Sequence, residues 1–350
     1  MTGTVSASAP GKLVLCGEYA VLEGSPALSM AVDVRATALI NESKATDSCL
    51  NISNSVRAYS FRYDSTGAVH WTGEDPGRFG TVLSSAMLVF GEAGCIGGEN
   101  PVNIELDSGA FYTDSGSATV KLGLGSSAAV VVALCGALSR MWPGRKMADP
   151  QLMTFCLAAH HHFQGRTGSG VDIATSLHGG VQVFEPGKTQ LQGKSENIPQ
   201  GLYLLPVWTG VAADTPVFLQ RVKQFKEASG ERYSELVTEM HVIAQQAVAD
   251  WRAANVEGIC AALAKYAEAL QRFDDTARVG IFSPQHISLR QIAANYPCAY
   301  KPSGAGGGDF GVFFCGSEET IEAIRADCQQ AGFATPAFSF PGTGLQIEAA

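Results

Sequence analysis

Apolar and polar residues alternate over positions 4–8, 32–41 and 102–107, and this period of two predicts strands. Short apolar runs at 181–184, 202–209 and 312–315 predict further strands. The period lengthens over 81–91 and 151–163, where apolar residues recur every three to four positions and predict helices. Helical patterning dominates beyond residue 215, over 216–227, 231–253, 256–273, 284–296 and 318–330, before a terminal strand pair. Residues 42–76 are polar and β-prone, as expected for surface hairpins, and the turn-rich stretch 185–200 is the best boundary candidate. Two lobes, 1–195 and 196–350, are therefore expected. Neither internal repeats nor low-complexity tails interrupt them.

One stretch departs from these patterns. A strand over 117–121 runs into Lys121-Leu122-Gly123-Leu124-Gly125-Ser126-Ser127-Ala128, and an apolar helix follows to residue 138. Glycines admit positive φ and close approach of a ligand, and a helix start presents free N–H groups and a positive dipole end, so the turn suits phosphate. Ser126 and Ser127 add hydroxyls for a phosphate oxygen or magnesium. The same residues also fit a plain helix capped by Ser126, or the loose Gly-x-Gly-x-x-Ala dinucleotide fingerprint. A Walker A motif is absent, because Gln182 stands where its first glycine belongs ahead of Gly187-Lys188-Thr189.

Composition narrows the partners. The chain has 350 residues, 46% hydrophobic and 16% charged, with mean hydropathy +0.08, which predicts a soluble globular protein. A net charge of −9 argues against nucleic-acid and anionic-membrane binding. The nine cysteines contain no Cys-x-x-Cys pair, so neither a zinc site nor a disulfide framework is signalled, and a reducing cytoplasm is the expected setting. No signal-peptide core or run of the ~20 apolar residues of a membrane span is evident.

Two more glycine-rich segments lie far from the first: Ala9-Pro10-Gly11-Lys12 through Gly24, and Lys301-Pro302-Ser303-Gly304-Ala305-Gly306-Gly307-Gly308-Asp309-Phe310-Gly311. With the turn at 122–129 they resemble, in order and spacing, the three motifs of the GHMP superfamily of small-molecule kinases. The resemblance runs essentially end to end. Within the superfamily, Gly17-Glu18-Tyr19-Ala20-Val21-Leu22-Glu23, the segment 160–172 with Gln-Gly-Arg-x-Gly-Ser-Gly-x-Asp, and 303–309 are most similar to phosphomevalonate kinases. One departure stands out. Trp208-Thr209-Gly210 is followed by Val211-Ala212-Ala213-Asp214-Thr215-Pro216, without the Lys and Arg that this family often carries there.

The resemblance implies an α+β fold, a two-lobed GHMP kinase with a ribosomal protein S5 domain 2-like N-terminal lobe and a ferredoxin-like C-terminal lobe. It implies ATP and Mg2+ as cofactors, and transfer of the γ-phosphoryl of ATP to 5-phosphomevalonate. Asp172 would orient the acceptor and take its proton, with Lys12 beside it holding the carboxylate ionised. Lys121, Gly123, Leu124, Gly125, Ser126, Ser127 and Ala128 would hold ATP, with Ser126 and Ser127 toward magnesium. Lys12, Glu18, Tyr19, Arg166, Ser169, Gly170, Gly304, Ala305, Gly306 and Gly307 would surround a small anionic acceptor, with Arg166 gripping its phosphate. His161 stands where mevalonate kinases have a metal-binding glutamate. His160, His161 and His162 point in different helical directions, which predicts surface residues rather than a metal site. Asp309-Phe310-Gly311 mimics the protein-kinase magnesium motif, but no His-Arg-Asp loop accompanies it. The alternatives are mevalonate or another small molecule as acceptor, a non-catalytic GHMP-fold binding protein, and a dinucleotide oxidoreductase. A monomer or homodimer is expected, with neither nucleic acid nor membrane as partner.

Overall fold

The computed structural model describes residues 3–53, 55–98, 100–114, 119–142, 147, 149–165, 168–185 and 195–349. Its strands are β1 (Val5–Cys16), β2 (Ala27–Glu42), β3 (Ser48–Ile52), β4 (Ala58–Tyr63), β5 (Val69–Trp71), β6 (Val102–Asp107), β7 (Tyr112–Asp114), β8 (Thr119–Lys121), β9 (Val181–Phe184), β10 (Tyr203–Trp208), β11 (Ala299–Pro302), β12 (Phe310–Cys315) and β13 (Gln346–Ala349). Its helices are α1 (Arg78–Glu92), α2 (Ser126–Met141), α3 (Asp149–Gln164), α4 (Val171–His178), α5 (Thr215–Ala228), α6 (Gly230–Arg252), α7 (Val256–Ala277), α8 (Pro284–Ala293) and α9 (Glu318–Gln330). The chain is an α+β fold of two lobes in which a large mixed sheet and a smaller antiparallel sheet each carry helices.

The large sheet runs β13-β1-β2-β6-β3-β4-β5, with β9 also on β2. The polar region after residue 42 joins this sheet rather than forming separate surface hairpins, because Leu50 and Phe61 in β3 and β4 are fully buried. Helix α2 is apolar almost all round and packs on β1 and β2, as expected of a helix covered on every side. The second sheet runs β10-β12-β11, and Leu205, Val207 and Phe313 form a core there with Leu289 and Ile324 of α8 and α9. The chain end does not stay with this sheet. β13 returns to pair antiparallel with β1, from Val5 opposite Ala349 to Ser8 opposite Gln346, so residues beyond 345 complete the N-terminal lobe.

β1 contains the first glycine motif as strand rather than turn. A register shift between Pro10 and Gly11 lets the strand continue past the proline. Beyond β1, the motif is tied to the third one. The Lys301 ammonium and Glu18 carboxylate form an ion pair with side chains 0% and 2% exposed. Lys301 also donates to the Pro302 carbonyl at 2.7 Å, Val14 N–H donates to Ser303 Oγ at 2.9 Å, and the Tyr19 hydroxyl donates to the Ala305 carbonyl at 2.5 Å. Tyr19 has φ 60°, uncommon for an aromatic residue, and stacking on Phe273 at 5.5 Å holds it there.

Removing one partner of a buried pair leaves an uncompensated charge. Lys301→Met should cost about 3–5 kcal/mol in chemical denaturation. Glu18→Gln combined with Lys301→Met should recover part of that loss, and equal stabilities of the single and wild-type proteins would remove the pair from this role.

Candidate active site

Between the two sheets lies a cleft of about 950 Å³, and all three glycine motifs reach it. The first contributes Lys12. The strand must pass close to the second motif to do so: a Cβ at Gly11 would stand 2.7 Å from the Leu124 carbonyl oxygen, and Lys12 N–H donates to that same oxygen at 2.8 Å. The lysine side chain then crosses Gly125, where an added Cβ would lie 3.2 Å from its Cγ. Its Nζ ends 3.7 Å from the Cβ position of Gly304, so Lys12 bridges motifs two and three.

The second motif is an open helix start. Gly125, not Ser126, is the N-cap, at φ 78°, and no side chain caps the helix. The first-turn N–H groups are thus free of a side-chain competitor for an anion. Lys121, Gly123, Gly125 and Ser127 face the cleft, whereas Leu124 and Ala128 are fully buried behind it and Ser126 is 6% exposed. Of the two serines, Ser127 is the one that lines the cleft. Hard oxygen donors on the cleft wall, the Ser127 hydroxyl and the Asp172 and Asp309 carboxylates, fit a cation that takes few protein ligands. Among the described residues no three His, Cys, Asp or Glu side chains gather into a metal cluster.

Asp172 opens the first turn of α4 and faces the same cleft, its side chain 23% exposed. Its Oδ1 accepts from Ile173 N–H at 3.0 Å. Lys12 and Asp172 are brought to one cavity, yet they form no ion pair within 4.0 Å, so the expected direct contact is not made in this structure. Gly170 is the N-cap of α4 at φ 84°, where a side chain would meet Leu157 at 2.7 Å. It and Ser169 shape the turn without facing the cleft.

Several expected acceptor residues have structural duties instead. Glu18 is consumed by Lys301, and Tyr19 is 5% exposed, its hydroxyl engaged. In the third motif Ser303, Gly304 and Ala305 face the cleft. Gly306 and Gly307 turn away: added Cβ atoms would meet Ile281 Cγ2 at 2.4 Å and Phe218 Cζ at 2.2 Å, so these glycines serve internal packing. Arg166 lies outside the described residues. The histidine run divides, since His160 is 2% exposed and not a surface residue.

Three further groups that are not among the expected site residues lie on the cleft. Arg78 opens α1 and lies over the Phe163 ring at 5.1 Å. Lys223 of α5 also lines the cleft. Asp309 is the third. Its carboxylate sits where a Gly123 side chain would be, 1.9 Å from the Cβ position, which excludes any other residue at Gly123. Oδ1 accepts from Ala213 N–H at 3.0 Å, and the Asp309 backbone carbonyl accepts from Thr209 N–H at 2.9 Å. Burial pushes the Asp309 carboxyl up to about 6 despite Lys12 and Lys121 nearby. Burial and the charges of Arg78 and Lys12 lower the Lys121 ammonium.

The chain is similar to several known proteins. Residues 82–180 match the family model for the GHMP kinases N terminal domain. A phosphomevalonate kinase of Streptomyces sp. (strain CL190) is 27% identical over 94% of this chain and 95% of its own. A mevalonate kinase of Thermococcus sibiricus is 28% identical over 69% of this chain and 68% of its own. The solved structure of Streptococcus pneumoniae phosphomevalonate kinase in complex with phosphomevalonate and AMPPNP superposes with TM-score 0.76 at 18% identity, covering 96% of this chain and 99% of that one. Among the described residues no helix is long and apolar enough to cross a membrane.

The Asp309 carboxyl gives a test with a definite sign. Folded protein holds its proton up to about pH 6, whereas the unfolded chain releases it near the ordinary 3.8. Folding therefore loses stability as pH rises between these values. Asp309→Asn keeps an acceptor for Ala213 N–H and is spared that loss. Its Tm should exceed wild type at pH 7.5, by on the order of 1–3 kcal/mol in stability, and the gain should vanish by pH 4. A pH-independent difference would contradict the assignment.

Proposed function

We propose that the acceptor of this chain, which belongs to the GHMP kinases and is a phosphotransferase of that family, is 5-phosphomevalonate, with ATP as donor. The observation that carries the reading is the convergence of the three motifs on one cleft around Lys12 and Asp172, in a chain matched along nearly its whole length by a phosphomevalonate kinase. The four described cations on that cleft, Lys12, Arg78, Lys121 and Lys223, suit a site for two anionic ligands.

In this reading the triphosphate lies across Gly123 and Gly125 with its oxygens on the free N–H groups of α2. Magnesium would be held by ATP oxygens and Ser127, and when bound it would offset charge on the phosphoryl group. Lys12, held between Gly125 and Gly304, neutralises charge at the point of transfer. Asp172 orients the acceptor oxygen and accepts its proton where one must leave. Positioning and fixed charge supply most of the catalysis, as in phosphoryl transfer generally. Arg166, which falls between α3 and α4 in the sequence, grips the acceptor phosphate.

A second reading, mevalonate as acceptor, has an observation in its favour. The segment after Gly210 brings Ala212, Ala213 and Asp214 to the cleft in place of basic residues, and an acidic wall suits a less charged acceptor. ADP release measured over phosphomevalonate, mevalonate, homoserine and sugars separates the readings. Phosphomevalonate should give the highest kcat/KM; a preference for mevalonate overturns the first reading.

Asp172→Asn should lower kcat on the order of 10²–10⁴-fold and leave ATP affinity little changed, as calorimetry would check. Turnover near wild type at saturating substrates would end its assigned role. Arg166→Ala should raise KM for phosphomevalonate by about ten- to a hundredfold, the cost of a charge-assisted contact, with KM for ATP nearly constant. An unchanged acceptor KM would remove Arg166 from the acceptor site.

A further inference from the structure

Helix α3 carries, near its C-terminal end, a histidine with no part in the proposed chemistry. His160 is 2% exposed, and its Nε2 has no hydrogen-bond partner among the described residues. A buried imidazole nitrogen without a partner carries an unrecovered desolvation cost, so its surroundings call for an explanation. The polar group that Nε2 faces is the Asp172 carboxylate, with Oδ2 at 3.9 Å. Burial lowers the His160 pKa, and His161 and Arg78 add to that, against the opposing pull of Asp172. An imidazole in either protonation state has at least one N–H to give.

The carboxylate is half fixed. Oδ1 is held by Ile173 N–H at 3.0 Å, while no described group lies within hydrogen-bond distance of Oδ2. A separation of 3.9 Å exceeds hydrogen-bond length, but catalytic hydrogen bonds in unliganded enzymes are often long and tighten when the reactive complex closes. A small rotation of either side chain joins the unpartnered donor to the unpartnered acceptor. Phe163, one helical turn along α3, lies 6.2 Å from the His160 ring and forms cleft wall under Arg78. A ligand closing on that wall would press on the turn that carries the histidine.

We propose that His160 is a positioning residue for Asp172: its Nε2–H holds Oδ2, fixing the carboxylate's rotation so that the remaining lone pairs face the acceptor. The histidine touches no substrate and acts only through the aspartate. This rests on the reading of Asp172 given above, and the test separates the two.

Three variants are compared by steady-state kinetics at saturating ATP. His160→Leu fills the space without a donor and should lower kcat by about 10- to 100-fold, the loss of a hydrogen bond to a charged group, with KM for ATP within about threefold. His160→Gln carries an amide to the Nε2 position and should recover most of kcat. His160→Asn ends short of it and should resemble the leucine variant. The contrast between Gln and Asn reads the same contact if the leucine protein does not fold. In an Asp172→Asn background, His160→Leu should add little further loss, because both changes remove one unit. Wild-type kcat in His160→Leu, equal rates in the Gln and Asn variants, or a full additional loss in the Asp172→Asn background would each overturn the proposal. Wild-type turnover in Asp172→Asn alone would instead overturn the reading of Asp172.

Discussion

The cleft depends on how closely one strand lies against one turn. Gly11 leaves no space between β1 and the Leu124 carbonyl, and the next residue donates its N–H to that carbonyl. The contact fixes where Lys12 begins, and the αL conformation of Gly125 leaves room for its side chain to pass. Both sides of the contact are rigid: β1 is paired on both edges, by β2 and β13, and α2 is buried along its length. Rigid supports matter because phosphoryl transfer asks a protein mainly for placement of charge, and a displaced cation loses most of its value.

The third motif is held to this frame from behind. The Glu18–Lys301 pair is deeply buried, and such pairs often cost as much in desolvation as they return in attraction. Its evident contribution is geometric. It fixes the start of the Ser303–Ala305 turn against β1, and His286 supports the other end by facing the Gly308 carbonyl at 3.0 Å and the Tyr300 hydroxyl at 2.7 Å. Burial holds that histidine near pKa 4, so it stays neutral at physiological pH and does not disturb the charge of the cleft.

Much of this architecture is legible in local sequence pattern. The helices after residue 215 fall within a few residues of their expected limits because each carries its own periodicity and its own stop. The glycine motifs stand out because backbone that must approach a ligand or another strand admits little else. Local pattern does not convey pairing over long distance. Glu18 reads as an acceptor ligand, since nothing near it in sequence reveals Lys301 as its partner. Gly306 and Gly307 belong to a recognisable motif, but their packing against Ile281 and Phe218 depends on segments far away. Asp309 sits in sequence within a false protein-kinase motif, and only the fold brings its carboxylate onto Gly123. The return of β13 to β1 is likewise a pairing between chain ends with no local signature.

Asp309 also bears on how the cleft can recognise its ligands. A carboxylate beside Gly123 disfavours an anion at that turn, and burial makes its charge more costly still. Yet it is fixed in place by Ala213 N–H and by its own backbone bonds to Thr209 and Val211, which tie the third motif to the segment around Gly210. That segment lacks the basic residues expected of it, so the cations at hand come from other elements: Lys12 from β1, Arg78 from α1, Lys121 from β8 and Lys223 from α5. Charges drawn from four separate elements keep their spacing only while the two lobes keep theirs. In the proposed reading, acceptor preference is then a property of how the lobes are held together as much as of any one residue, and the Glu18–Lys301 tie and the Asp309 clamp support the cleft although neither needs to touch the acceptor.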